Sequence, residues 1–128
     1  MRVSERCHYV LITTHPDETL MDAAGRMHCY QIGALPVYEQ HRLVGIVTER
    51  DMIAALAEGA DPATATVADY MTDQPVTVAP DDDLAVAARH MAELGVRHLP
   101  VVDGHQLVGV LSIRDLLSDQ ASMPLPTG

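Results

Sequence analysis

Lysine, phenylalanine and tryptophan are all missing from this 128-residue chain, and tyrosine occurs only 4 times. A folded core must therefore be built from aliphatic side chains. Basic residues are few, 8 against 18 acidic ones, and the net charge is −10. That balance argues against non-specific nucleic-acid binding, which needs a basic face. It disfavours anionic membrane surfaces for the same reason. All the basic residues are arginine, so a phosphate held by a side chain would meet Arg or His, and Arg binds such groups bidentately. No apolar run approaches the ~18 residues of a membrane span. No apolar signal region follows residues 1–6, so a cytoplasmic location is expected. Cysteine is limited to Cys7 and Cys29, two lone thiols expected to be reduced and structural.

What the chain does have is a repeat. His41-Arg42-Leu43-Val44-Gly45-Ile46-Val47-Thr48-Glu49-Arg50-Asp51 reads almost as His105-Gln106-Leu107-Val108-Gly109-Val110-Leu111-Ser112-Ile113-Arg114-Asp115. Pro36 aligns with Pro100, an offset of 100 − 36 = 64 residues. Thr13/Thr77, Asp17/Asp81, Leu20/Leu84, Ala23/Ala87, Met27/Met91, Leu35/Leu99 and Val37/Val101 match in the same register without a gap. Self-similarity over that length is a duplication. The repeats are expected as domains over residues 1–60 and 61–120, with a loose Pro-containing tail from Gln120 through 121–128.

Each repeat has one grammar. A short apolar strand comes first, Val10-Leu11-Ile12 or Val76-Thr77-Val78. A Pro-Asp turn leads to a helix with apolar positions at helical spacing: Leu20, Ala23, Ala24, Met27, Tyr30, and Leu84, Ala87, Ala88, Met91, Leu94. Thr19 and Asp83 are the expected N-caps. Two strands then form a hairpin, Leu35 to Tyr38 with Leu43 to Val47, and Leu99 to Val102 with Leu107 to Leu111. Closing helices are expected over 49–58 and 113–119, and a polar joint over 59–66. The fold class is α/β (α+β), two β-α-β-β-α units. One such unit alone has too little core, and two together solve the problem.

Thr48-Glu49-Arg50-Asp51 and Ser112-Ile113-Arg114-Asp115 stand where a strand becomes a helix. One reading is a capping box, with the hydroxyl at N-cap and the acid at N3. The other is a ligand site. A helix N-terminus offers free N–H groups to an anion, and a carboxylate beside it has two acceptor oxygens suited to a ribose diol.

These strings, together with Ala34-Leu35-Pro36-Val37, Leu99-Pro100-Val101-Val102-Asp103 and the lead-in Val67-Ala68-Asp69-Tyr70-Met71-Thr72, resemble the signature of the cystathionine-β-synthase (CBS) domain, twice over. The resemblance implies a tandem pair packed through its sheets with pseudo-twofold symmetry, and a homodimer formed through helices. It implies clefts between the units for adenosine-containing ligands: AMP, ADP or ATP, S-adenosylmethionine, or NAD-like molecules. An adenine nucleotide would be a regulatory ligand there, not a catalytic cofactor, and the regulated partner would be another protein. The family role carries ribose binding to Asp51 and Asp115. One site would combine Ile46, Thr48, Arg50 and Asp51 with Asp73, Gln74, Val96 and Arg97. The other would combine Val110, Ser112, Arg114 and Asp115 with Tyr9, Val10, Ile32, Gly33 and Arg97, with His98 adjacent. Gly33-Ala34 stands where the second repeat has Arg97-His98, so the sites are expected to differ in affinity, the Asp115 site being tighter for phosphorylated ligands.

Other readings remain beside this one. A structural dimerisation domain without ligand would keep the same fold. A metal protein would use the seven histidines, but His8 beside Cys7 and His28 beside Cys29 lack C-x-x-C or H-x-x-x-H spacing. His41 and His105 fall in turns. No nucleophile elbow, P-loop or dinucleotide fingerprint is present, and no enzyme activity is expected.

Overall fold

The computed structural model describes residues 1–7, 9 and 11–122. Ten elements follow in order: α1 (Leu20–Tyr30), β1 (Ala34–Glu39), β2 (Arg42–Thr48), α2 (Glu49–Ala57), α3 (Val67–Tyr70), β3 (Thr72–Asp73), α4 (Leu84–Leu94), β4 (His98–Asp103), β5 (Gln106–Ser112) and α5 (Ile113–Ser122). A 3-10 turn at Val3–Glu5 precedes them.

Both expected hairpins form. Pro36 stands opposite Ile46 and Pro100 opposite Val110, with the ladder shifting by one residue after Val37 and after Val101. Both amphipathic helices form as well. Thr19 accepts from the Asp22 N–H at 3.1 Å, and Asp83 accepts from the Ala85 N–H at 3.0 Å. Leu20, Ala23 and Met27 are buried, as are Leu84, Ala87 and Met91. Tyr30 and Leu94, the last apolar positions of the pattern, are exposed.

The expected first strands are not ladders. Val10 lies outside the described residues, and Leu11 to Thr13 belong to no strand. Each repeat keeps one parallel bridge instead, Thr14 with Val37 and Val78 with Val101. Each bridge is made of two bonds, Thr14 N–H to Pro36 O and Tyr38 N–H to Thr14 O in the first, and Val78 N–H to Pro100 O and Val102 N–H to Val78 O in the second. The proline carbonyl accepts one bond, so the missing proline N–H costs nothing here. The closing helices run over Glu49–Ala57 and Ile113–Ser122. The second passes Gln120, where a loose tail is expected from the sequence, and residues 123–128 lie outside the described residues.

The compact units do not coincide with a cut between residues 60 and 61. One unit is Ile12–Pro75, and the other joins Met1–Leu11 to the chain from Val76 onward. The reason is visible at the 64-residue offset, where Val3 matches Val67 and Cys7 matches Met71. In the first unit Val67 N–H donates to Glu18 O, Ala68 N–H to Pro16 O and Leu20 N–H to Ala65 O. In the second, Val3 N–H donates to Asp82 O, Ser4 N–H to Pro80 O and Leu84 N–H to Met1 O. Val3 and Val67 are both fully buried in the core of the unit they complete. Each lead-in therefore packs against the other repeat's helix and hairpin.

The two cores are aliphatic. Ala23, Met27, Leu35, Val37, Val47 and Val67 form one. Val3, Cys7, Val78, Leu84, Ala87, Met91, Leu99, Val101 and Leu111 form the other. Cys7 is buried, Cys29 is exposed, and both are free thiols.

Two local differences between the repeats lead to predictions. Helix α1 ends on Gln31 in the left-handed region, at φ 56°, where α4 ends on Gly95 at φ 66°. A side chain in that conformation is strained and glycine is not. Gln31→Gly is expected to stabilise the fold by about 0.5 kcal/mol, less than the full strain because the Gln31 side chain bonds His28 O. A urea titration checks this, with an unchanged or lower midpoint counting against it.

In the first repeat Glu18 takes both nitrogens of Arg26 at 2.6 Å. It also accepts from Thr14 Oγ1 at 2.9 Å and from the His15 N–H at 3.0 Å. The Arg26 guanidinium, with Thr14 and His15 assisting, holds the Glu18 carboxyl at about 2, below its ordinary 4.5. A folded-state value below the unfolded one adds stability that is present above about 4.5 and lost as pH falls towards about 2. Both side chains are partly exposed, so the pair contributes no more than ~1 kcal/mol. Glu18→Gln should remove that part of the acid dependence, read as melting temperature against pH.

Candidate ligand site at the strand-to-helix steps

Strand β2 runs without a loop into α2, and β5 into α5, so each Ser or Thr is both the last strand residue and the helix N-cap. In the first unit the Thr48 N–H donates to Asp51 Oδ2 at 2.7 Å and its hydroxyl to the same oxygen at 3.2 Å. Thr48 and Asp51 close a capping box. Among the described residues, Asp51 Oδ1 receives no hydrogen bond. In the second unit the Ser112 N–H donates to Asp115 Oδ2 at 2.6 Å and its hydroxyl at 3.1 Å. Capping is therefore real at both steps. At each step one carboxylate oxygen takes both bonds from the hydroxyl residue.

The surroundings differ. Asp51 is half-buried, and its carboxyl is raised above the ordinary aspartate value by that burial, against the opposing bonds from Thr48 and the nearby Arg50 charge. Asp115 is only 5% exposed. At the start of α2 the Glu49 N–H donates to Gly33 O at 3.1 Å, and at the start of α5 the Ile113 N–H donates to Arg97 O at 2.8 Å. Ile32 and Gly33 thus belong with Asp51 in their unit, and Val96, Arg97 and His98 with Asp115 in theirs. Val96 and Ile32 pack on their respective cores, and His98 pairs with Ser112 across the hairpin.

The lead-ins complete each step. In the first unit β3 pairs with β2, placing Thr72 opposite Ile46 and Asp73 opposite Gly45. Gln74, in the left-handed region at φ 48°, donates its N–H to Val44 O. Asp73 and Gln74 are exposed and Ile46 is buried. A Cβ on Gly45 would lie 2.6 Å from Met71 Sδ and 2.8 Å from Thr72 O, so the close approach of this lead-in requires glycine there. In the second unit Tyr9 donates its hydroxyl to Ser4 O at 2.6 Å. Burial pushes the Cys7 thiol up, the neighbouring Tyr9 hydroxyl opposes this, and the Asp115 charge adds to it. Tyr9 is exposed, as are Arg50, Arg97 and Arg114, while Val110 is half-buried. Val10 lies outside the described residues.

Sequence reasoning named Asp73, Gln74 and Tyr9 but missed Met71 and Cys7, the residues that hold those segments down. The signal was available, because the 64-residue offset extended to the lead-ins pairs 7 with 71 and 3 with 67. Among the described residues no three His, Cys, Asp or Glu side chains gather as a metal site, and no helix is long and apolar enough to cross a membrane.

A duplicated α/β unit with a capped carboxylate at each strand-to-helix step defines a tandem repeat of one domain type. The CBS domain model matches residues 4–58 and 67–122, and the chain belongs to the CBS-domain family. It is 37% identical over 111 residues to the CBS domain-containing protein YhcV of Bacillus subtilis, covering 86% of this chain and 79% of that one. The CBS pair of protein MJ0100, solved in complex with 5′-methylthioadenosine and S-adenosyl-L-methionine, matches with a TM-score of 0.87 at 27% identity, covering 94% of this chain and 96% of that one. Hypoxic Response Protein I, solved with two coordinated zinc ions, matches with a TM-score of 0.80 at 32% identity, covering 92% of this chain and 98% of that one.

Proposed function

We propose that the chain is a regulatory sensor of adenosine-containing ligands, with one ligand position headed by Asp51 and one by Asp115. The observation that carries this reading is the geometry of the two carboxylates. Each is fixed in place through Oδ2 by the backbone and hydroxyl of the preceding Thr or Ser, so capping and ribose binding do not compete for the whole group. At Asp51 the other oxygen is available to accept from a ribose diol. The two adenosine compounds in complex with the MJ0100 pair support the ligand class.

In this reading Thr48, Arg50 and Asp51, with Ile32, Gly33, Ile46, Asp73 and Gln74, form one position. Ser112, Arg114 and Asp115, with Tyr9, Val96, Arg97, His98 and Val110, form the other. The adenine rests between aliphatic side chains. Arg97, Arg114 and His98 lie in the unit of Asp115 and favour a phosphorylated ligand there. Asp73 and Glu49 lie in the unit of Asp51 and disfavour one.

Calorimetry with AMP, ATP and S-adenosylmethionine tests this on Asp51→Asn and Asp115→Asn. Asn still accepts the capping bond, so each variant should melt within a few degrees of the parent. The lost charged acceptor should weaken binding at its own site by about tenfold or more. Unchanged binding in both variants would remove the ribose role, and equal losses for AMP would remove the difference between the sites.

The same reading includes a homodimer. Ile53 and Leu117 occupy equivalent positions on α2 and α5 and are 66% and 56% exposed. Exposed aliphatic side chains paired in this way on closing helices suit a self-interface. Light scattering at micromolar concentration should give twice the chain mass, and Ile53→Asp with Leu117→Asp should halve it. A monomeric mass for the parent chain would end the dimer reading.

A further inference from the structure

Among the described residues, Gln31, Gln40, His41 and Gln74 stand in the left-handed region without being glycine. All of them lie in the unit Ile12–Pro75. Three have a local reason. Gln31 closes α1 and bonds His28 O through its side chain. Gln40 and His41 form the turn between β1 and β2, where left-handed backbone matches the twist of the strands. Gln74 closes no helix and turns no hairpin. It follows β3 and precedes Pro75, a setting that favours extended backbone. A side chain at φ 48° is strained there. Glycine would follow the same path without strain.

The backbone holds this conformation and the side chain takes no part in it. The Gln74 N–H donates to Val44 O at 3.1 Å, continuing the ladder that sets Asp73 opposite Gly45 and Thr72 opposite Ile46. Gln74 is exposed, and among the described residues its carboxamide has no hydrogen-bond partner. The fold therefore presents an uncommitted amide on a fixed backbone, beside the strand that leads to Thr48 and Asp51. Val44 stands four residues before Thr48, about 13 Å along an extended strand. With its ribose at Asp51, an adenosine lying back along β2 brings its base within reach of a glutamine side chain at 74.

We propose that Gln74 is the specificity-determining residue of the Asp51 position and reads the edge of the adenine through its carboxamide. This rests on the adenosine reading above. It adds which end of the ligand lies at β3 and why adenine is preferred to guanine there. The exposed Asp73 carboxylate beside Gln74 repels a phosphate, so the base and not the phosphate occupies this end. A carboxamide offers one acceptor oxygen and an NH2 donor. That set pairs bidentately with the adenine N6 amino group and N7. Guanine presents two acceptors on the same edge, O6 and N7, and one of them would face the amide oxygen. Glycine at 74 would relieve the strain and lose the amide.

The test sets stability against affinity, with AMP and GMP as probes. Calorimetry is run on the full chain carrying Asp115→Asn, so that the Asp51 position is the one observed. Gln74→Gly should raise the melting temperature by about 2–4 °C and weaken AMP by about tenfold. A purely structural residue would not move the two in opposite senses. Gln74→Glu keeps the size and the strain but has no donor for N7. It should leave the melting temperature unchanged and weaken AMP by a similar factor. With Gln74 in place, AMP should be preferred to GMP by about tenfold, and Gln74→Gly should lose most of that preference.

Unchanged AMP affinity in both Gln74 variants overturns the proposal, and so does equal binding of AMP and GMP with Gln74 in place. A lower melting temperature in Gln74→Gly overturns it too, since the left-handed strain is then absent. Asp51→Asn separates this proposal from the reading on which it rests. AMP binding that is lost in Asp51→Asn but kept in the Gln74 variants removes the base reading alone and leaves the ribose role. If AMP fails to bind at all, the adenosine reading at Asp51 fails and takes the role of Gln74 with it.

Discussion

Replacing Gly45 with valine should strip β3 from the first unit and lower stability by about 3 kcal/mol, the upper range for forcing side-chain atoms into a filled site. The backbone at Gly45 lies outside the left-handed region and accepts any residue. A strand position would even gain a few tenths of a kcal/mol from a β-branched side chain. Space decides the sign. The new Cβ would stand 2.6 Å from Met71 Sδ and 2.8 Å from Thr72 O. The thioether can swing away, but the Thr72 carbonyl belongs to the β3 backbone and moves only if the strand moves. The expected signature is therefore local as well as global. The Gln74 N–H, bonded to Val44 O in the parent chain, should lose its exchange protection, and the melting temperature should fall by ~10 °C or more. A Gly45→Val protein with a parental melting temperature would mean that the lead-in is not held as described. Any adenosine binding at Asp51 should weaken in the same variant, because Asp73 and Gln74 leave with the strand.

Truncating Leu35 to alanine should be at least as costly, about 3–4 kcal/mol, from lost burial plus the cavity left behind. Leu35 is completely buried. It stands beside Pro36 in the centre of the hairpin, packed among Ala23, Met27, Val37, Val47 and Val67. No aromatic side chain belongs to that core, so no ring is there to fill the space. Leu99→Ala, at 2% exposure in the second core, should match it within about 1 kcal/mol, since the cost follows how well each site relaxes. Urea titrations of the two variants check both values. A loss below about 1 kcal/mol at Leu35 would contradict its place in the core. Ile53→Ala, at an exposed position on α2, is the control and should change the stability of an isolated chain by less than ~0.5 kcal/mol.

The sequence by itself determined the elements that depend on local periodicity. Leu20, Ala23 and Met27 recur at helical spacing and bury one face of α1. The Leu-Pro-Val and Leu-Val-Gly strings read as a hairpin and form one, twice. The Thr48-to-Asp51 and Ser112-to-Asp115 spacing named a capping box and a candidate site at once, because a one-turn separation brings N-cap and N3 together whatever the rest of the chain does. The short apolar runs at 10–12 and 76–78 carry less information than a strand assignment needs. An apolar run of three residues says that a segment is extended, not that a neighbouring strand is there to pair with it. The second run forms a bridge at Val78, and beside the first run the bridge falls two residues on, at Thr14.

What only the tertiary structure decided is which repeat each lead-in serves. Val3 and Val67 are the same residue in the same local setting, and the grooves that take them offer the same acceptors, Asp82 and Pro80 or Glu18 and Pro16. Periodicity reports that a valine is buried but not against which copy, because two repeats with one pattern present equivalent surfaces. Connectivity resolves the choice. The need for glycine at 45, beside Met71 and Thr72, and the burial of Cys7 in the second core both follow from that exchange. They arise between segments far apart in sequence, where no local spacing records them.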